Sequence, residues 1–309
     1  MAALLSTALA GLFVSPLHAQ TAPPPVSGGF SALFDGAAQF QPAPLSFRAP
    51  RTSIKSAAAS GSELLQALHD RVSRTHAPVG YSEARRHMFG ALDNVTVDGV
   101  RGVHAVYSAV FVPGTSGNGG DYREQGDQNG DGYVDAGGMN AEHLWPQSYF
   151  KERLPMRADL HHLLPTFMHP NSVRGRLPFG EVAAADADYT NRAGARRDEK
   201  LFEPPDRVKG RVARGLLYFF TRYLGYNIIP SNAADIFWNR RIETLLRWNR
   251  EFPPDAMERR RNDLAEKVQG NRNPFVDDPG LADQIGPEAF RLRQSKRTYT
   301  SSALRPRRP

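Results

Sequence analysis

Leu64, Leu65, Leu68 and Val72 recur at helical spacing and predict a first helix with Ser62 as its cap candidate. A second short helix is predicted over residues 82–92. Residues 100–112 alternate and are β-branched enough to predict one strand. The strongest pattern runs from Asp206 to Leu224, where Val208, Val212, Leu216, Phe219 and Tyr223 form an apolar stripe. Arg207, Arg211 and Arg214 share another face of that helix, either solvated or laid against a phosphate backbone. Further helices are predicted over residues 233–248 and 255–268, the latter with Asp255 and Glu258 at capping-box spacing. The pattern as a whole predicts a mixed α+β fold that is mostly helical.

The two ends lack such patterning. Residues 1–19 carry a small, apolar run broken by Pro16 and resemble a secretory signal peptide cut after Ala19, which predicts an exported, periplasmic or extracellular protein. That run is too short and interrupted for a membrane anchor, and no other stretch could span a bilayer. Residues 20–61 are rich in Pro, Ala, Ser and Gly and read as a linker or pro-segment. Residues 286–309 read as a basic, disordered tail. Residues 62–285 are left as one domain, expected to act as a monomer.

Composition adds two points. The 39 Lys and Arg against 32 Asp and Glu, for a net charge of +7, favour a polyanionic partner. The cysteine count is 0, which excludes a disulfide framework, a thiolate metal site and a cysteine nucleophile.

Residues 114–138 form a Gly/Asp-rich loop. Within it Asp127, Asn129, Asp131, Gly132, Tyr133 and Asp135 fit the first nine positions of a calcium loop, where oxygens alternate and the glycine permits the sharp turn. The twelfth position is Gly138 rather than a bidentate Glu. A calcium site and a solvated Asp/Gly turn are both open readings.

The stretch that follows, Asn140-Ala141-Glu142-His143-Leu144-Trp145-Pro146-Gln147-Ser148, sets a carboxylate directly before an imidazole. Adjacent side chains on a strand point to opposite faces, so Glu142 and His143 can do different jobs at one spot. Hydrolysis of a phosphodiester needs a base to activate water and a cation to neutralise developing charge. A histidine suits the first role, and oxygen donors such as Glu142 and Asn171 suit magnesium in the second. Two rival readings stay open on chemistry alone. One is a zinc-dependent phosphoesterase acting on small phosphates or lipids, with His161, His162 and His169 as ligands. The other is a noncatalytic, calcium-stabilised nucleic-acid-binding protein.

Taken with Asp159-Leu160-His161-His162-Leu163-Leu164-Pro165-Thr166, Asn171-Ser172-Val173-Arg174 and Pro178-Phe179-Gly180-Glu181-Val182, the stretch resembles the endonuclease I family of secreted bacterial nucleases, in the ββα-metal or His-Me finger group. Phe202-Glu203-Pro204-Pro205-Asp206 and Val268-Gln269-Gly270-Asn271-Arg272-Asn273-Pro274-Phe275 continue the likeness, which covers roughly residues 62–285. The resemblance implies a ββα-metal core embedded among helices. It implies a metal-dependent, largely sequence-nonspecific endonuclease acting on DNA, with RNA as a second substrate, that leaves 5′-phosphate ends. His143 would be the general base, and Glu142 and Asn171 would hold one divalent ion, usually magnesium.

Glu142 and His143 would lie on the first strand of the finger, Asp159 to Pro165 on the second, and Asn171 with Arg174 on the crossing helix. Asp159 and His162 would orient their neighbours, Arg174 would contact phosphate or anchor its helix, and Trp145 would pack in the core. Some relatives place an arginine between the two motifs to steady the phosphate; Arg153 and Arg157 are the candidates here.

Overall fold

The first helix begins two residues earlier than predicted, because the cap is Ser60 rather than Ser62. The computed structural model describes residues 60–292, so the expected leader, most of the linker and the tail beyond Leu292 lie outside the described residues. In α1 (Gly61–Arg74) the Ser60 hydroxyl accepts from the Glu63 backbone, and the Glu63 carboxylate accepts from the Ser60 N–H at 2.7 Å. Helix α2 (Tyr81–His87) runs on through a widened turn, Met88–Leu92.

Residues 100–112 make two strands rather than one. β1 (Asn94–Val97), β2 (Val100–His104) and β3 (Phe111–Pro113) form an antiparallel sheet in that order. The chain reverses between β2 and β3 at Ala109, whose φ is +61°. A non-glycine residue rarely adopts that conformation, so no turn signal marks the break.

The next pair positions the site. β4 (Met139–His143) and β5 (Leu163–Phe167) are antiparallel, with Asn140 opposite Thr166, Glu142 opposite Leu164 and His143 opposite Leu163. Helix α3 (Met168–Arg174) follows β5 without a loop. The predicted second strand therefore shifts: Leu160–His162 is a 3₁₀ turn capped by Asp159, and the strand begins at Leu163. Three two-residue strands, β6 (Tyr189–Thr190), β7 (Arg196–Arg197) and β8 (Phe202–Glu203), close a small third sheet.

Helix α4 (Asp206–Arg222) is buried on nearly every side beyond its first turn, not along one stripe. The expected arginine face is accordingly not a solvated one. Arg214 is 1% exposed and pairs with Glu258 at 2.5 Å, and Arg211 pairs with Asp93; only Arg207 remains exposed. Paired guanidinium groups of this kind cannot lie against a phosphate backbone without leaving a buried carboxylate alone.

The single helix expected over residues 233–248 is broken into α5 (Ser231–Ala234), a widened turn at Asp235–Asn239, and α6 (Ile242–Glu251). In α7 (Ala256–Gln269) Asp255 caps the Glu258 N–H at 2.7 Å, while the Glu258 carboxylate turns to Arg214 and leaves the capping box half made. Helices α8 (Pro274–Asp277), α9 (Gly280–Ile285) and α10 (Pro287–Phe290) follow. The last of these corrects the tail boundary: Phe290 is fully buried, and its carbonyl accepts from Trp238 Nε1 at 2.7 Å. Order continues to Leu292, whose backbone pairs with the Asn239 side chain.

Two apolar clusters flank the β4–β5 pair. Met139, Ala141 and Leu163 belong to one; Leu144, Trp145 and Leu164 belong to the other, around α4. Strand alternation produces this division within β4 and β5, Trp145 lying beyond the end of the strand, and it leaves the ribbon gripped from both sides. Among the described residues no helix is long and apolar enough to cross a membrane.

Candidate active site

Helix α3 lies across β4, and two spacings match. Asn140 and Glu142 are two apart on the strand and share a face; Asn171 and Arg174 are three apart on the helix and share a face. Asn171 Nδ2 donates to Asn140 Oδ1 at 2.7 Å, and Arg174 Nη1 meets Glu142 Oε1 at 2.9 Å. Donation from its amide nitrogen leaves the Asn171 side-chain oxygen as the free acceptor.

Arg174 is 1% exposed and binds three further acceptors. Nη1 donates to the carbonyls of His143 (3.1 Å) and Gly175, and Nη2 to that of Leu144 (2.6 Å). The guanidinium lies over the Phe179 ring at 4.5 Å. Of the two roles expected for Arg174, this geometry carries anchoring, since a buried fork has no face for a phosphate.

Glu142 is 2% exposed, with the buried Tyr107 beside it. Burial raises its carboxyl above the usual carboxylate range, and Arg174 pulls it part of the way back. Its Oε1 has no properly aligned hydrogen-bond donor. A buried carboxylate on the strand and a free amide oxygen on the helix that crosses it are donors that suit a hard, oxygen-preferring cation. Among the described residues no group of three or more His, Asp or Glu converges, so such a cation would take most of its ligands from water and substrate.

His143 points to the other side of β4. Its Nε2 lies 3.0 Å from the Arg157 carbonyl, and its ring sits 5.6 Å from Tyr81 and 5.5 Å from His162. A carbonyl only accepts, so Nε2 carries the hydrogen and Nδ1 keeps the lone pair. Burial pushes the imidazole down to about 3, aided by His162, Arg157 and Arg174. The ring is therefore neutral throughout the physiological range. Tyr81 and Arg157 cover it, with the Arg157 guanidinium 4.3 Å from the Tyr81 ring and its side chain 33% exposed.

Of the two arginines expected between the motifs, Arg157 thus lies beside His143. Arg153 donates to the carbonyls of Phe150 and Asn227. Sequence reading gave no role to Asn140, although it opens the motif two residues before Glu142, and missed Tyr81 and Tyr107, neither of which stands out by motif or spacing.

Asp159 is tied into a buried network, while the His162 ring stands edge-on to that of His143 at 5.5 Å. Asp159 is 1% exposed; Oδ1 accepts from His161 N and Gln269 Nε2, and Oδ2 from the Tyr218 and Tyr223 hydroxyls at 2.9 and 3.0 Å. Burial would raise this carboxyl, but His76, His161, His162 and the Gln269 donor outweigh it and hold it below the usual range. Trp145 is fully buried and donates to the Ile228 carbonyl. The zinc set does not assemble: His161 Nε2 meets the Asn271 carbonyl, His162 Nε2 the Met156 carbonyl, and His169 the Asp131 carboxylate.

The buried histidines give an acid-stability prediction. Burial lowers His104, His161 and His162 to about 4, as it lowers His143 further. The unfolded chain protonates these rings near pH ~6.5 and the folded chain does not, so stability falls as pH drops from there through about 4. His76 is lowered by burial as well, while Asp135, raised to about 6 by burial and by Glu124 and Asp131, and Glu142, raised by burial, oppose the trend without cancelling it. Thermal melts at pH 7 and 5 are expected to differ by roughly 10 °C. Identical melts would mean the rings are solvated.

Known proteins resemble this chain over most of its described residues. The Endonuclease I family model matches residues 60–280. The chain is 37% identical over 161 residues to the extracellular ribonuclease of Bacillus subtilis (strain 168), covering 49% of this chain and 55% of that one. It is 36% identical over 160 residues to the extracellular ribonuclease of Bacillus amyloliquefaciens, covering 48% and 54%. To an extracellular deoxyribonuclease of Aeromonas hydrophila it is 29% identical over 124 residues, covering 40% and 50%. The chain thus spans about half the length of these curated relatives. The matched segment holds both strands, the crossing helix and every group placed around them, and by that match the chain belongs to the Endonuclease I family.

Proposed function

We propose that the chain is an exported, monomeric, metal-dependent endonuclease that hydrolyses phosphodiester bonds of DNA and RNA with little sequence preference, leaving 5′-phosphate ends. The β4–β5–α3 unit is its ββα-metal finger. The observation that carries this reading is the hydrogen bond from His143 Nε2 to the Arg157 carbonyl. It leaves Nδ1 as the basic nitrogen at the end of the strand that also carries Glu142. His143 takes the proton from the attacking water; its neutrality keeps the lone pair available, and the Arg157 carbonyl stabilises the imidazolium that forms.

Glu142 and the Asn171 amide oxygen would hold one divalent cation, magnesium by the hardness of the donors. When bound, such an ion supplies charge neutralisation at the phosphate and the leaving oxygen. Arg174 keeps the Glu142 carboxylate fixed, and Asn140 orients Asn171. Base and ligands face opposite sides of β4, so the scissile phosphate is bound across the end of the strand. Arg157, partly exposed beside His143, is placed to contact a phosphate oxygen there.

Names of relatives support both substrates, since they include ribonucleases and deoxyribonucleases, and they support export, since those names read extracellular or periplasmic. Backbone-directed contacts carry no base information, which accounts for low specificity. Supercoiled plasmid and single-stranded RNA are both expected to be degraded with magnesium and protected by excess chelator. Degradation unaffected by chelator would remove the metal from the scheme; intact substrate under both conditions would remove the nuclease.

A further inference from the structure

The Asp/Gly-rich loop is fastened to the helix that carries Asn171. Asp135 Oδ1 accepts from the His169 N–H at 2.8 Å, and Asp131 Oδ2 meets His169 Nδ1 at 3.2 Å and the Tyr189 hydroxyl at 3.0 Å. His169 is two residues before Asn171.

The loop gathers acids without cations to match. Asp127 Oδ1 and Asn129 Oδ1 both accept from the Asp131 N–H, at 3.0 and 2.9 Å. Glu124, 4% exposed, accepts from the Asn129 and Asp135 N–H groups at 2.8 and 3.0 Å. Among the described residues no lysine or arginine pairs with the carboxylates of Glu124, Asp127, Asp131 or Asp135. The Arg192 side chain donates to the carbonyls of Asp127 and Gln128, not to a carboxylate.

One atom is unexplained by these contacts. Asp135 is 2% exposed, and its Oδ2 is buried with no hydrogen-bond partner. Leaving a buried carboxylate oxygen unmatched, with Glu124 and Asp131 close enough to repel it, is costly unless a cation completes the site. The side chains are in part turned to the loop's own N–H groups, so no finished cage of three carboxylates exists. Asn129 and the Tyr133 carbonyl are the remaining oxygens at calcium-loop positions.

We propose that the segment from Glu124 to Asp135 binds one calcium ion, and that this ion fixes His169 and through it the placement of Asn171. The binding half stands apart from the nuclease reading; its consequence for Asn171 rests on that reading. Lacking the bidentate Glu of a full calcium loop, the site belongs in the weaker range, with Kd of about 10⁻⁵–10⁻³ M.

Terbium luminescence sensitised through Tyr133 and Tyr189 tests it on the full chain. A signal displaced by calcium is expected, weakened about tenfold or more by Asp135→Asn, which preserves shape. Asp127→Asn, at a half-exposed position, is expected to do the same should the first variant fold poorly, whereas Asn171→Ala is expected to keep the signal. Calcium near saturation is expected to raise the melting temperature by about 5 °C and to slow amide exchange across residues 168–174. Absence of a displaceable signal, or loss of it with Asn171→Ala and not with the loop variants, overturns the site. Unchanged exchange in α3 overturns the coupling. A chain that binds terbium yet leaves nucleic acid intact contradicts the nuclease and leaves the ion site standing.

Discussion

Replacing His143 with alanine is expected to lower plasmid cleavage by about two to four orders of magnitude, the usual loss on removing a general base. The ring makes a single hydrogen bond, through Nε2 to a backbone carbonyl, and Nδ1 is left as a base. None of the ion pairs around Glu142 passes through its side chain, so Arg174, Asn140 and Asn171 keep their partners. Metal affinity should therefore change little while turnover collapses.

Single-turnover cleavage at saturating magnesium isolates that step from binding. His143→Gln is a useful companion, because an amide can hold the Arg157 carbonyl yet cannot accept a proton at neutral pH. It should be nearly as impaired as the alanine form. Cleavage within about tenfold of the parent chain in either variant would mean that another group activates the water.

Replacing Arg174 with alanine is expected to cost about 3–5 kcal/mol, the range for stripping a partner from a buried ion pair. Glu142 is 2% exposed and would be left without a countercharge, and the carbonyls of His143 and Leu144 would lose their donors. Arg174→Lys should recover only part of this. An ammonium can satisfy Glu142, but it lacks the planar fork that reaches both carbonyls and covers the Phe179 ring.

Urea denaturation of the single variant and of Arg174→Ala combined with Glu142→Gln checks the cause. The double variant should be less destabilised than the sum of its parts, because the lone carboxylate is gone. Strict additivity would show that the pair is not coupled.

The placement of the candidate residues was largely readable in the chain; their supports were not. Glu142, His143, Asn171 and Arg174 stand out because two short motifs place them on a strand and on the helix that crosses it. The pairing of Asn140 with Asn171 and of Glu142 with Arg174 needs the helix angle, which no local pattern states. Tyr81 and Arg157 reach His143 through tertiary packing from separate segments.

The misread elements share a physical cause. Residues 233–248 keep their apolar spacing through the widened turn, so periodicity alone cannot reveal the break. Residues 100–112 reverse at an alanine where a glycine or asparagine would have signalled a turn. Arginines on α4 read as solvated because their partners, Asp93 and Glu258, lie far away in sequence.

Phe290 bears on how the protein could be shortened. The family match stops at residue 280, but the polypeptide continues through α9 and α10 and plugs an aromatic ring against Phe220 and Phe275. A fragment trimmed to the matched segment would uncover those rings and strand the Trp238 indole N–H in an apolar setting. The smallest autonomous form of this fold is thus longer than its recognisable signature, by the two short helices that close it.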